Sequence, residues 1–134
     1  MSPLLEALST VFQLGTLLYI LIGVAWGLIF GMIPGLSATL AIIVLIPITY
    51  SLSPIQGICM LLGVYIGGVS GGLVSASLLG MPGTPSSITT CYDGYPLAKQ
   101  GLGEKAIGVG AVSNLFGSLV GFVFLILLAT PLSK

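Results

Sequence analysis

GMPGTPSSITT, Gly80 to Thr90, is the stretch whose reading decides the fold. It follows a long apolar run and holds two prolines, two glycines and five hydroxyl side chains. In hydrocarbon every backbone N–H and C=O must be paired. Proline removes a donor and disrupts a helix. Glycine opens turns that are closed to other residues. A break of this kind frees amides and carbonyls that protein, water or a ligand must satisfy. A half-helix starting there aims its N-terminal amides and the positive end of its dipole at the gap. That end suits a carboxylate, whereas carbonyls and hydroxyls suit a small cation.

The setting of the stretch is a membrane protein. The 134 residues are 56% hydrophobic and only 4% charged, against about 25% charged in an ordinary soluble domain. The charges are Glu6, Asp93, Lys99, Glu104, Lys105 and Lys134, with none between Glu6 and Asp93. That interval far exceeds the roughly 20 residues of one crossing, so it implies more than one span. Glu6 in place of a basic n-region argues against a cleaved secretory leader. No basic patch suggests nucleic acid. The chain has no histidine, which excludes zinc sites and triads built on imidazole. Cys59 and Cys91 stand far apart among apolar or small residues and read as packing residues. No cofactor and no resident metal are expected.

Outward from the break, the chain divides into spans. Residues 1–14 form an amphipathic start, with Leu4, Leu5, Leu8, Val11 and Phe12 on one helical face. A first span covers about Gly15 to Ile33, with Gly23, Gly27 and Gly31 at every fourth position, a smooth stripe that admits close helix approach. Tyr19 and Trp26 are candidate interfacial anchors, although Trp26 lies deep for that role. Pro34 to Tyr50 contains a short apolar run bounded by Pro34-Gly35 and Pro47, which suits a re-entrant or half-helix. Ser53 caps the next helix, with Pro54 at its first position and Gln56 completing a capping box. That helix runs to about Leu79 and repeats the small-residue spacing at Gly63, Gly67, Gly68, Gly71 and Gly72. Pro82 to Thr90 is a second candidate re-entrant piece. Residues 91–105 read as a polar, water-facing loop, with Asp93 and Gly94 in a turn. A last span covers about Ala106 to Thr130 and carries Asn114. The fold class is therefore all-α integral membrane, with about three full transmembrane helices plus one or two short broken or re-entrant segments in a single domain over 1–134. Lys99 and Lys105 favour a cytoplasmic side for the loop. Lys134 argues the opposite if the last span crosses once.

GMIPGLSATL (Gly31 to Leu40) echoes GMPGTPSSIT (Gly80 to Thr89). Each has Gly-Met, then Pro-Gly, then hydroxyls. The candidate substrate- or ion-binding residues are therefore Pro34, Gly35, Ser37 and Thr39 at one break, and Pro82, Gly83, Thr84, Ser86 and Ser87 at the other. Asn114 is the mid-span amide. Paired discontinuous helices are a recurrent way for secondary transporters to build a site. Two other classes compete. An intramembrane hydrolase would pair Ser86 or Ser87 with Lys99 or Lys105. A structural or assembly subunit would use the glycine stripes for packing alone.

The run GMIPGLSATLAIIVLIPITYSLSP, followed by GVYIGG, LLGMPGTPSS and DGYPLAKQG, resembles the large membrane subunit of the tripartite tricarboxylate transporters. The likeness covers about Leu18 to Gly121. It reaches only the N-terminal portion of that much longer subunit. Gly80-Met81 stands where the family often has an Asn before the second Pro-Gly. The resemblance implies a multi-pass protein of the bacterial inner membrane that takes up a tricarboxylate or related organic carboxylate. It implies a sodium ion or proton as coupling ion. It also implies a small membrane subunit and a periplasmic solute-binding protein as partners. The remaining C-terminal half of the large subunit, or a second copy of this chain, would complete the site within the lipid bilayer.

Overall fold

A computed structural model describes residues 9–132. No strand occurs among them. The elements are α1 (Leu14–Met32), α2 (Ala38–Thr49), α3 (Pro54–Leu79), a 3-10 turn (Pro85–Ser87), α4 (Ile88–Lys99) and α5 (Gly103–Leu132). Three helices are long and apolar enough to cross a membrane: α1, α3, and α5 over Gly103–Leu128. α2 is the shorter apolar helix. This is the multi-pass all-α architecture expected of the composition. The amphipathic start over 1–14 lies largely outside the described residues.

Two glycine stripes zip α1 to α3. A Cβ on Gly23, Gly27 or Gly31 would strike the carbonyl of Met60, Val64 or Gly68 respectively. A Cβ on Gly63, Gly67 or Gly71 would strike the carbonyl of Ile20, Val24 or Leu28. The contacts advance four residues at a time on both sides, so the helices run parallel at backbone contact. Lipid tails are as apolar as leucine, so close packing drives this association more than hydrophobic burial does. Glycine Cα–H groups facing carbonyls add about 0.5–1 kcal/mol each. Beside the seam, Ala41, Leu45, Met60 and Val64 form the core, with Tyr19, Trp26 and Phe30 packed against it. Trp26 stacks on Phe30 with ring centroids 5.0 Å apart. It therefore packs within the bundle.

Contacts along α3 give the path of the chain. Ala38 meets Gly68 and Thr49 meets Gly57, so α2 runs back antiparallel to α3. α1 and α2 thus form a hairpin that turns beside Gly68 and returns to the end where α3 begins. Pro47, expected to bound the short apolar run, lies inside α2. Past it, the Thr49 and Ser51 hydroxyls donate to the carbonyls of Ile46 and Ile48, both at 2.7 Å, which satisfies acceptors freed near the helix end. Ser53 caps α3 as expected, accepting from Gln56 N–H at 3.4 Å.

The second half enters from the other end. Thr84 packs on Gly72, Gly94 on Ser77 and Tyr95 on Gly80. The chain therefore leaves the C-terminal end of α3, dips back to Gly72, and climbs again along α4. Gly72 lies about 10 Å short of Leu79 along the helix axis. α5 then descends antiparallel to α3, with Gly103 beside Leu78 and Gly110 beside Leu73. The loop reading of 91–105 is overturned. Residues 91–99 belong to α4 and 103–105 to α5, leaving only a tight turn between them. Asp93 is helical, and Gly94 serves close approach to Ser77 instead of a turn. A polar composition mimicked a loop, although α4 packs against both α3 and α5.

Candidate functional site

The second break is a wedge. Gly80 closes α3 with φ +66° and donates its N–H to the Ala76 carbonyl at 3.2 Å. Gly83 inserts between α1 and α3, where a Cβ would meet the Gly31 carbonyl and come within 2.7 Å of Ser75 Oγ. Only glycine fits between these two helices. Thr84 and Ser87 are buried, while Pro82 and Ser86 are exposed. The Ser87 hydroxyl donates to the Thr84 carbonyl at 2.8 Å and accepts from the Thr84 N–H at 3.2 Å. Thr84 Oγ1 lies 3.0 Å from Ser86 Oγ and 3.3 Å from Ser87 Oγ. The freed groups of the break are thus partly paired within it. Cys91 joins by donating to the Ser87 carbonyl at 3.7 Å, and both cysteines are free thiols.

The first break is an exposed turn, closed by Leu36 N–H to the Ile33 carbonyl at 3.1 Å. Gly35 takes φ +92°, and a Cβ there would have nothing within 4 Å. Pro34, Gly35 and Thr39 are exposed. Ser37 caps α2, accepting from Leu40 N–H at 3.3 Å. The residues that bring the two breaks together are their neighbours. Gly31, just before the first break, touches Gly68, Gly71 and Gly83. Ala38 and Thr84 then sit on adjoining turns of α3, at Gly68 and Gly72. Two short helices therefore start beside one short stretch of α3 and run in opposite directions from it.

Asn114 reaches the neighbourhood of the second break, lining one hollow together with Ser86. Its Nδ2 donates to Ser70 Oγ at 3.3 Å, a cross-helix bond. It also lines two cavities. A groove of about 460 Å³ between α4 and α5 is walled by Thr89, Thr90, Asp93, Lys105, Ser113 and Asn114, with Leu73 and Leu97 among its apolar lining. A second hollow of about 680 Å³ adjoins Ser70, Ser86 and Ser118 among apolar residues. Asn114 thus stands between a charged-mouthed groove and a mostly apolar chamber. Sequence reasoning missed Ser70, Thr89, Thr90, Asp93, Lys105 and Ser113 as lining residues. Reading 88–99 as a helix would have placed Thr89, Asp93 and Leu97 on one stripe.

Among the described residues no hydrogen bond joins Ser86 or Ser87 to Lys99 or Lys105. Lys99 lies over the Tyr95 ring, 4.8 Å from its centroid. It sits twelve positions beyond Ser87 along the helical segment, about 18 Å away. The Ser87–Lys99 pairing is therefore not assembled.

Discontinuous helices that start beside one another inside an apolar bundle recur in membrane transporters. The sequence agrees at the level of family. Residues 17–134 match the tripartite tricarboxylate transporter TctA family, and the chain belongs to it. It is 36% identical over 113 residues to an "Uncharacterized 52.8 kDa protein in TAR-I ttuC' 3'region" of Agrobacterium vitis. That match takes in 84% of this chain and 22% of that protein, so the chain spans about a fifth of the relative's length. No solved structure matches.

Proposed function

We propose that this chain forms one wall of the carboxylate path in a tripartite transporter of the bacterial inner membrane. The transporter takes up a tricarboxylate or related organic acid, driven by a sodium or proton gradient. A periplasmic solute-binding protein delivers the substrate and a small membrane subunit completes the assembly. The rest of the site comes from the C-terminal part of the large subunit or from a second copy of this chain. The observation that carries this reading is the placement of α2 and α4. α2 starts beside Gly68 and the turn that leads into α4 starts beside Gly72, both well inside α3, and the two helices run apart. Helix N-termini so placed offer amides and positive dipole ends to an anion. The hydroxyl of Ser86 and the amide of Asn114 line one hollow beside the second break.

A second reading has its own support. The Thr84–Ser87 hydroxyls pair among themselves, as a purely structural turn would have them. Uptake of labelled citrate and other carboxylates into sealed vesicles separates the two. The vesicles carry this chain alone, or with the C-terminal half, the small subunit and the binding protein, with and without a sodium gradient. Gradient-dependent uptake that is lost when Gly83 is replaced by Leu in an inserted protein is the expected result. Wild-type uptake by that variant, or no uptake in any verified mixture, returns the chain to an assembly role.

A further inference from the structure

We infer that the groove between α4 and α5 is a carboxylate-binding site, with Lys105 supplying the charge at its mouth and Asn114 the amide at its inner end. This rests on the transporter reading above and gives it a location. The groove holds about 460 Å³, within the roughly 300–1,000 Å³ of ligand pockets. Its polar groups face one another from two helices. Thr89, Thr90 and Asp93 come from α4, and Lys105, Ser113 and Asn114 from α5. Lys105 to Asn114 is nine residues, about 13 Å along α5. The groove therefore leads from the charged turn between α4 and α5 down to the level of Ser70 on α3.

Lys105 is an exposed cation at an unfavourable position on its own helix. It occupies the first turn of α5, where the helix dipole favours an anion and a cation weakens the helix. Among the described residues it forms no ion pair, although Asp93 lines the same groove. Lys99, by contrast, is occupied by the Tyr95 ring and lines a different hollow with Glu104. A side chain that breaks a local rule without a structural gain is where function is expected. An organic acid entering the groove places one carboxylate on the Lys105 ammonium and the freed amides of α5. Its inner oxygens meet Ser113 and Asn114. Asp93 on the facing wall repels a bare anion, and the Lys105 ammonium in the same groove offsets that repulsion.

The test uses the chain in its full transporter assembly in proteoliposomes, with citrate as the probe. Lys105→Gln is expected to raise the half-saturating citrate concentration about ten- to hundredfold, as loss of a charge-assisted hydrogen bond does, and Lys105→Arg to restore most of it. Asp93→Asn is expected to lower the half-saturating citrate concentration, because it removes the opposing charge from the groove. A second readout needs no change at either charge. In a Cys59→Ser, Cys91→Ser background, citrate should slow labelling of Thr90→Cys by a charged thiol reagent. Normal uptake by Lys105→Gln, with labelling of Thr90→Cys indifferent to citrate, overturns the groove and leaves the transporter reading standing. An assembly with neither gradient-driven uptake nor citrate protection overturns both.

Discussion

Gly27→Ala puts one methyl group into the α1–α3 seam. The new Cβ would fall on the Val64 carbonyl and lie 2.8 Å from the Gly68 amide nitrogen. Both obstacles are backbone, so no rotamer change relieves the overlap and the helices must separate. Overpacking of this kind costs about 1–3 kcal/mol. Separation also stretches the flanking glycine–carbonyl contacts, each worth about 0.5–1 kcal/mol, so a total of about 2–4 kcal/mol is expected. Gly117→Ala is the control. It sits on α5 with nothing within 4 Å of the added methyl, and alanine is the better helix former by about 0.8–1 kcal/mol. The two substitutions should therefore have opposite signs, or at least differ by several-fold, in reversible unfolding by SDS titration or steric trapping. Gly27→Ala combined with Gly67→Ala should cost less than the sum of the two, because the first methyl already parts the helices. Equal effects at Gly27 and Gly117, or strict additivity across the seam, would refute the backbone-contact account.

Ser87→Ala leaves the buried Thr84 N–H without its acceptor, so about 1–3 kcal/mol of stability should be lost, with faster hydrogen exchange at that amide by mass spectrometry. Asn114→Leu removes a single cross-helix bond of about 0.6 kcal/mol. A melting temperature near wild type with citrate uptake abolished is expected, whereas wild-type uptake would make the amide a packing residue. Gly94→Leu would collide with Ser77, whose Oγ lies 2.8 Å from a Cβ at that position. It should loosen the dip of 80–99, read as faster thiol labelling of Cys91. Ser51→Cys and Gln100→Cys, each made in a background lacking the other cysteines, should label from opposite faces of sealed vesicles, because α2 and α4 return the chain to opposite ends of α3.

Much of the fold was legible along the chain. The bounds of α1 and α3 followed from apolar length, the Ser53–Pro54 start and the glycine at position 80. The spacing of four at Gly23, Gly27, Gly31 and at Gly63, Gly67, Gly71 marked both faces of the seam. α4 was not legible. Its residues, ITTCYDGYPLAK, have the polar and Gly/Pro content of a loop, and the helix holds because Gly94 and Tyr95 pack on Ser77 and Gly80. Nor did Lys105 stand out. Its significance depends on Asp93, Thr90 and Asn114 facing the same hollow, and these contacts link residues distant in sequence.

The sequence by itself determined that this chain lives in a membrane, because an apolar interval free of charge from Glu6 to Asp93 has no stable place in water. It also marked two of the helix breaks, because Pro-Gly pairs disfavour a continuing α-helix. Tertiary structure alone decided where those breaks go. Pro34-Gly35 and Pro82-Gly83 look alike as sequence, yet the first makes an exposed turn and the second a buried wedge. The difference lies in what each break meets. Gly83 finds the Gly31 carbonyl and Ser75 within reach, while Gly35 finds nothing. Close packing between segments far apart in the chain is a property of the assembled bundle, and local composition carries no record of it.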